Sequence, residues 1–168
     1  MALAAPFNLQ GWVEEHRHLL KPPVGNAMIV NGNLMVMVVG GPNQRSDFHV
    51  NPTEELFYQL EGDIVLRVME DGQPRDVPIR QGEMFLLPAG IPHSPQRPAN
   101  TVGLVIEQRR PENANDHLRW FCKNCGAVVY DAEFHLVDLG KQLKPILEYF
   151  HSHPEVRTCK ACGAVYPV

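Results

Sequence analysis

No stretch of this chain is apolar for long enough to cross a bilayer. The longest uninterrupted run, residues 34–39, falls far short of the roughly 20 residues a spanning helix needs. The N-terminus lacks a basic segment followed by an apolar one, so no secretion signal is read there either. Charge of one sign is missing as well: 15 Lys and Arg stand interspersed with 19 Asp and Glu, and the net charge of -4 offers no basic face to a nucleic acid. No low-complexity segment is present, and no cysteine stands alone. All four fall in Cys-x-x-Cys pairs, which a reducing compartment keeps as thiolates for metal in place of disulfides. These absences lead us to expect a soluble, cytoplasmic protein with no membrane or nucleic-acid partner.

A chain of 168 residues suits one main core with a small appended module, because domains cluster near roughly 100 to 150 residues. Residues 7–20, with Phe7, Leu9, Trp12 and Val13, read as a short amphipathic helix stopped by Pro22 and Pro23. The pattern then changes to short β-branched and aromatic runs at residues 34–39, 56–60, 64–70, 83–87 and 101–107. Turn residues at 40–43, 61–63, 71–72 and 80–82 punctuate them. Strands this close, with no helices between them, predict a mainly β antiparallel sandwich or barrel able to hold a small ligand at its mouth. Residues 109–115 read as a linker, dividing the chain into a barrel at 1–110 and an extension at 111–168. Within the extension, residues 136–150 are expected to be helical, with Pro145 tolerable only near a helix start.

Two features carry chemistry. Cys122, Cys125, Cys159 and Cys162 form two Cys-x-x-Cys-Gly knuckles in a two-copy internal repeat. Four thiolates close a tetrahedron with no vacancy for substrate, so this site is structural or electron-transferring, and either iron or zinc fits it. His49, Glu55 and His93 offer a different set, two imidazoles and one carboxylate, the donor type of non-haem ferrous oxygenases. Three protein donors leave three positions of an octahedron open. Arg45, Asp47 and His49 alternate, so an extended strand points them to one face. Two arginines, Arg45 and Arg97, together with Glu107, suit a small anionic, zwitterionic substrate.

The stretches 49–62 and 82–93 resemble the two motifs of the cupin superfamily, which implies a small β-barrel with a metal at its mouth. Where the first motif commonly has a second histidine, this chain has Asn51; Glu55, rather than its neighbour Glu54, keeps the six-residue gap to Gly62. The segments around Arg45 to His49, Glu55 to Leu60, Phe85 to Pro88 and His93 to Pro98, with residues 21–26 and the cysteine tail, resemble the 3-hydroxyanthranilate 3,4-dioxygenase family. That resemblance implies an Fe(II) extradiol dioxygenase, in the kynurenine route from tryptophan toward quinolinate and NAD. It would open the ring of 3-hydroxyanthranilate with dioxygen to 2-amino-3-carboxymuconate semialdehyde. By the same resemblance, His49, Glu55 and His93 hold the catalytic iron and Arg45 lies beside dioxygen. Arg97 and Glu107 bind substrate, with Glu55 touching it as well as the metal. Val39, Asp47, Phe57 and Pro95 line the pocket, the cysteine site is rubredoxin-like, and the chain forms a homodimer. A different cupin enzyme, a non-catalytic ligand-binding cupin and a rubredoxin-type carrier stand as alternatives.

Overall fold

The computed structural model describes residues 5–22, 25–43, 45–137 and 139–167. Pro23, Val24 and Gln44, used in reading the helix stop and the resemblance, lie outside the described residues.

The chain opens with α1 (Leu9–His16), capped by the Asn8 side chain, which accepts from the Gly11 amide at 2.8 Å, and a 3-10 turn (Arg17–Leu20) follows. Eleven strands come next in order: β1 (Asn26–Asn31), β2 (Leu34–Gly40), β3 (Phe48–Val50), β4 (Glu55–Glu61), β5 (Ile64–Glu70), β6 (Gln73–Ile79), β7 (Met84–Leu87), β8 (His93–Gln96), β9 (Val102–Gln108), β10 (Asp116–Phe121) and β11 (Val128–Phe134). Helix α2 (Leu139–Ser152) follows β11. The five strands expected from the longer apolar runs all form, within a residue or so of their expected ends. Of the strands the sequence did not reveal, β3 and β8 are very short, β6 and β8 bear proline and β10 is half polar, whereas β1 and β11 hold apolar residues that went unread as strands. β6 carries Pro74 and Pro78 and survives because it is an edge strand paired only with β5.

One expectation is corrected. Pro145 lies inside α2, several residues beyond its first turn, and not near the helix start. Tertiary packing offsets the missing donor: Leu143, Ile146, Leu147 and Phe150 on either side of it pack on the cysteine-module core.

The strands form two antiparallel sheets, β1-β2-β9-β4-β7 and β11-β10-β3-β8-β5-β6. Period-two alternation turns Met37, Phe57, Leu87 and Val105 of the first sheet toward Ile64, Leu66, Val68 and Ile79 of the second, which builds the barrel floor. On the outer side of the first sheet, α1 and the 3-10 turn bring Val13 and Leu20 onto Val38, Val102 and Leu104. The third core lies in the extension, where Trp120 stacks on Phe150 at 4.1 Å between centroids, beside Cys122, Cys159 and Tyr166. The extension is joined to the barrel by backbone pairing: β10 lies against β3, with Leu118 opposite His49.

Candidate active site and metal centres

The donors of the first centre come from both sheets. β3 and β8 pair so that His49 sits directly opposite His93, and Glu55 begins β4 on the facing sheet. All three side chains are buried, and their donor atoms lie within 4.8 Å of one another. Asp116 Oδ2 is 2.6 Å from His49 Nε2, and because a carboxylate only accepts, that nitrogen carries the proton and Nδ1 is free for a metal. His93 Nδ1 donates to the Ile91 carbonyl at 3.0 Å, which leaves its Nε2 free in the same way.

Glu55 Oε2 is the telling atom. It is buried without any hydrogen-bond partner, yet lies 3.0 Å from His93 Nε2, which is about the spacing of neighbouring corners of an octahedron with bonds near 2.1 Å. An orphaned carboxylate oxygen facing two imidazole lone pairs fits a divalent cation. Burial acts to raise the Glu55 carboxyl, but the His93 and His49 rings in their charged form override it and hold it at about 2, and Glu55 in turn raises His93, so the carboxylate calls for positive charge beside it. Burial depresses His49, favouring the neutral form that binds metal.

Asn51, at the place of the absent histidine, is not part of this group. Its Oδ1 accepts from the Thr53 amide at 2.8 Å and hydroxyl at 2.9 Å, and so shapes the turn that delivers Glu55. Its Nδ2 reaches toward Glu107 Oε2 at 3.4 Å.

The two arginines differ. Arg45 pairs with Asp47, so its charge is already answered, and it precedes β3 instead of lying on it. Arg97 is 3% exposed, forms no ion pair among the described residues, and among them its guanidinium hydrogen-bonds only to Gln59 Oε1, at 3.4 Å. Burial pulls its guanidinium down to about 10. Gly103 makes this arrangement possible, since a Cβ there would stand 2.6 Å from Gln59 Oε1 and 3.2 Å from Arg97 Nη1. Glu107, pushed up to about 7 chiefly by burial, pairs with Arg110 at 2.6 Å. Phe57 is buried against His93 with 6.0 Å between ring centroids, Pro95 is buried opposite Leu66, and Val39 packs on the edge of the same core. Asp47 is buried as the partner of Arg45. Asp116, Arg110 and Gln59 had no pattern in the sequence to mark them; Asp116 directly follows the stretch read as linker.

The second centre is the cysteine cluster. Cys122 and Cys162 sulfurs are 3.6 Å apart, and those of Cys125 and Cys159 are 3.7 Å apart. A tetrahedron with metal–sulfur bonds of about 2.3 Å has edges of about 3.8 Å, whereas a disulfide needs about 2.05 Å, so the geometry fits a shared metal. The two knuckles repeat one hydrogen-bond pattern. Gly126 donates to the Cys122 carbonyl at 2.9 Å and Gly163 to that of Cys159 at 2.8 Å, each glycine at φ near 75°. The Asn124 amide and the Ala164 N–H pull Cys162 down to about 6. Ala127 N–H favours the Cys125 thiolate, but the surrounding sulfurs push that thiol up to about 12.

Fold and sites together define a metal-dependent cupin with a buried two-histidine, one-glutamate donor set between its sheets and a four-cysteine cluster near the C-terminus. A family model described as 3-hydroxyanthranilic acid dioxygenase matches residues 1–151, and the chain belongs to that family. A 3-hydroxyanthranilate 3,4-dioxygenase of Jannaschia sp. is 53% identical over 99% of this chain and 94% of that protein. One of Neurospora crassa is 51% identical over 97% and 91%. Among solved structures, a cupin-2 domain protein from Shewanella frigidimarina aligns with TM-score 0.48 at 19% identity, covering 61% of this chain and all of that one.

Proposed function

We propose that the chain is a 3-hydroxyanthranilate 3,4-dioxygenase, a ferrous extradiol enzyme that adds both atoms of dioxygen across the bond between ring carbons 3 and 4. The product is 2-amino-3-carboxymuconate semialdehyde. The observation that carries this reading is Arg97, a buried guanidinium with no ion-pair partner among the described residues, in the barrel that also holds His49, Glu55 and His93. A buried charge is expensive unless paired, and a ring carboxylate supplies the pair.

His49, Glu55 and His93 would hold Fe(II), which when bound would offer coordination positions and relay electrons from the substrate ring to dioxygen. Arg97 grips the carboxylate through parallel N–H donors, with Gln59 fixing its plane. Ionised Glu107 accepts from the phenol or amine, and Glu55 borders the same group. Phe57, Val39 and Pro95 give the ring an apolar wall, which removes rotational freedom before reaction and excludes water. Arg45, oriented by Asp47, stabilises the negative charge that develops as dioxygen is reduced.

The cysteine cluster holds a second iron, or zinc, in a structural or electron-transfer role. The division at 110 then separates two kinds of work, since residues 1–110 carry the ring-opening residues and residues 111–168 carry the sulfur site. A homodimer is supported by the exposed Met84 and Leu86 on edge strand β7. A cytoplasmic location agrees with free thiols, and among the described residues no helix is long and apolar enough to cross a membrane. Another cupin activity, a sensor or an electron carrier is not favoured, because the relatives named as dioxygenases match nearly the whole chain.

The test is the absorbance of the ring-opened product after adding ferrous ion and 3-hydroxyanthranilate in air. Arg97→Ala raises KM about 100-fold, the effect expected when one partner of a buried charge pair is removed. An unchanged KM refutes the carboxylate grip, and no product from the iron-loaded wild type refutes the activity.

A further inference from the structure

Asp116 lies outside the metal-facing trio and yet is completely buried beside it. Its Oδ2 takes His49 Nε2 at 2.6 Å and Arg110 Nη2 at 2.7 Å, and its Oδ1 takes Arg110 Nε at 2.7 Å. Arg110 Nη2 also pairs with Glu107 Oε2 at 2.6 Å, and Nη1 donates to the Gln108 carbonyl at 2.9 Å. An unbroken line therefore runs from His49 through Asp116 and Arg110 to Glu107, with side-chain exposures of 6%, 0%, 0% and 2%.

A purely structural reason for this line is weak. Buried ion pairs seldom stabilise more than apolar side chains of the same volume would. β10 is already held on β3 by the pairing of residues 117–119 with 48–50, and by fully buried Leu118 and Trp120. What the ion pairs add is orientation, since they leave neither ring nor carboxylate free to turn.

We infer that Asp116 and Arg110 are positioning residues joining the metal donor His49 to the substrate acceptor Glu107. Asp116 keeps the proton on Nε2 of His49 and turns Nδ1 toward the metal. Arg110 fixes Oε2 of Glu107 and leaves the other oxygen for substrate. The inference rests on the reading of His49 as a metal donor and Glu107 as a substrate contact. It also means that the barrel-mouth centre is completed from beyond residue 110, by a strand of the extension.

The test uses the full chain with Asp116→Asn, which keeps the volume, and Arg110→Lys, which keeps the charge. Retention of ferrous iron is measured by competition with a chelator and without any aromatic compound, with metal at the cysteine cluster as the reference in the same sample. The paramagnetic resonance of the ferrous nitrosyl adduct distinguishes the two centres, because a high-spin nitrosyl on imidazole and carboxylate donors has a different signal from a thiolate-bound iron nitrosyl. Asp116→Asn weakens barrel-mouth iron binding about 10- to 100-fold and alters the nitrosyl signal, leaving the cluster metal and the circular dichroism unchanged. Arg110→Lys holds iron within a few-fold of wild type but raises KM for 3-hydroxyanthranilate about tenfold, with kcat nearly constant.

Wild-type iron affinity and an unaltered nitrosyl signal in Asp116→Asn overturn the inference. So does a joint loss of both metals and of folded structure in both variants, which marks a brace and nothing more. An unchanged KM in Arg110→Lys removes Arg110 from it. Iron retention and the nitrosyl signal need no substrate, so they judge Asp116 even if the ring-opening activity itself is not found.

Discussion

The two donor clusters of this chain are opposites in construction. The cysteine cluster is made of one kind of ligand, with Cys122 and Cys159 buried and Cys125 and Cys162 exposed, and each knuckle is shaped by hydrogen bonds between residues close in the chain. The barrel centre mixes imidazole and carboxylate, lies wholly inside, and is assembled from three strands in two sheets. Local construction shapes each knuckle, and the core of Trp120, Phe150 and Tyr166 brings the two knuckles together across 40 and 34 positions. Assembly from distant strands sets the three donors among other buried charges, Arg97, Glu107 and Asp116, that the strands also bring in.

The sharpest way to break this contrast is to remove a donor from each side. His93→Ala abolishes ring opening by about 1000-fold or more while the cysteine cluster keeps its metal, measured as product formation alongside metal per chain. In the reverse direction, Cys122→Ser empties the cluster and lowers the melting temperature, but leaves the catalytic iron and most of the ring-opening rate. Loss of ring opening with barrel iron retained would show that the clusters are not separable.

A second comparison sets the electrostatics of the centres against pH. Glu107 has its pKa raised to about 7, mainly by burial and also by the Glu55 charge. Its protonated form contributes stability that is complete below the ordinary value of 4.5 and is lost as pH rises through about 7. The ionised form is the acceptor, so kcat/KM rises as pH climbs through about 7 and then levels. Glu107→Gln removes that limb and lowers the plateau about tenfold, as read from kcat/KM profiles.

The smallest effect probes the seam between the two regions. The Tyr166 hydroxyl donates to the Ser46 carbonyl at 3.2 Å, and Trp120 Nε1 approaches the Ser46 hydroxyl at 3.4 Å, which ties the cysteine module to the residue after Arg45. Tyr166→Phe costs about 1 kcal/mol of stability in a denaturant titration and changes kcat by less than about threefold.

Much of this was legible in the chain. The knuckles repeat in sequence, and their glycines announce the turns they make. His49, Glu55 and His93 stood out by residue type, and the strands with strong apolar alternation, β2, β4, β5, β7 and β9, were visible as such. The strands that bear two of the donors were not: β3 has three residues and β8 contains Pro95, so neither offers enough period to read. The stretch before β10 looked like a linker, and nothing in it signals that Asp116 reaches His49 across 67 positions.

By itself, then, the sequence determined which atoms are available to bind metal and that each Cys-x-x-Cys-Gly knuckle turns its two sulfurs the same way, because those properties depend on residue type and short-range turn chemistry. Only the tertiary structure decided the rest. It placed Glu55 across from the paired histidines, buried Arg97 with no ion-pair partner among the described residues, and drew Asp116 from the extension into the wall of the barrel. Strand pairing brings together residues far apart in the chain, and the burial it creates sets the charge and hydrogen-bond demands of each group, which no local pattern encodes.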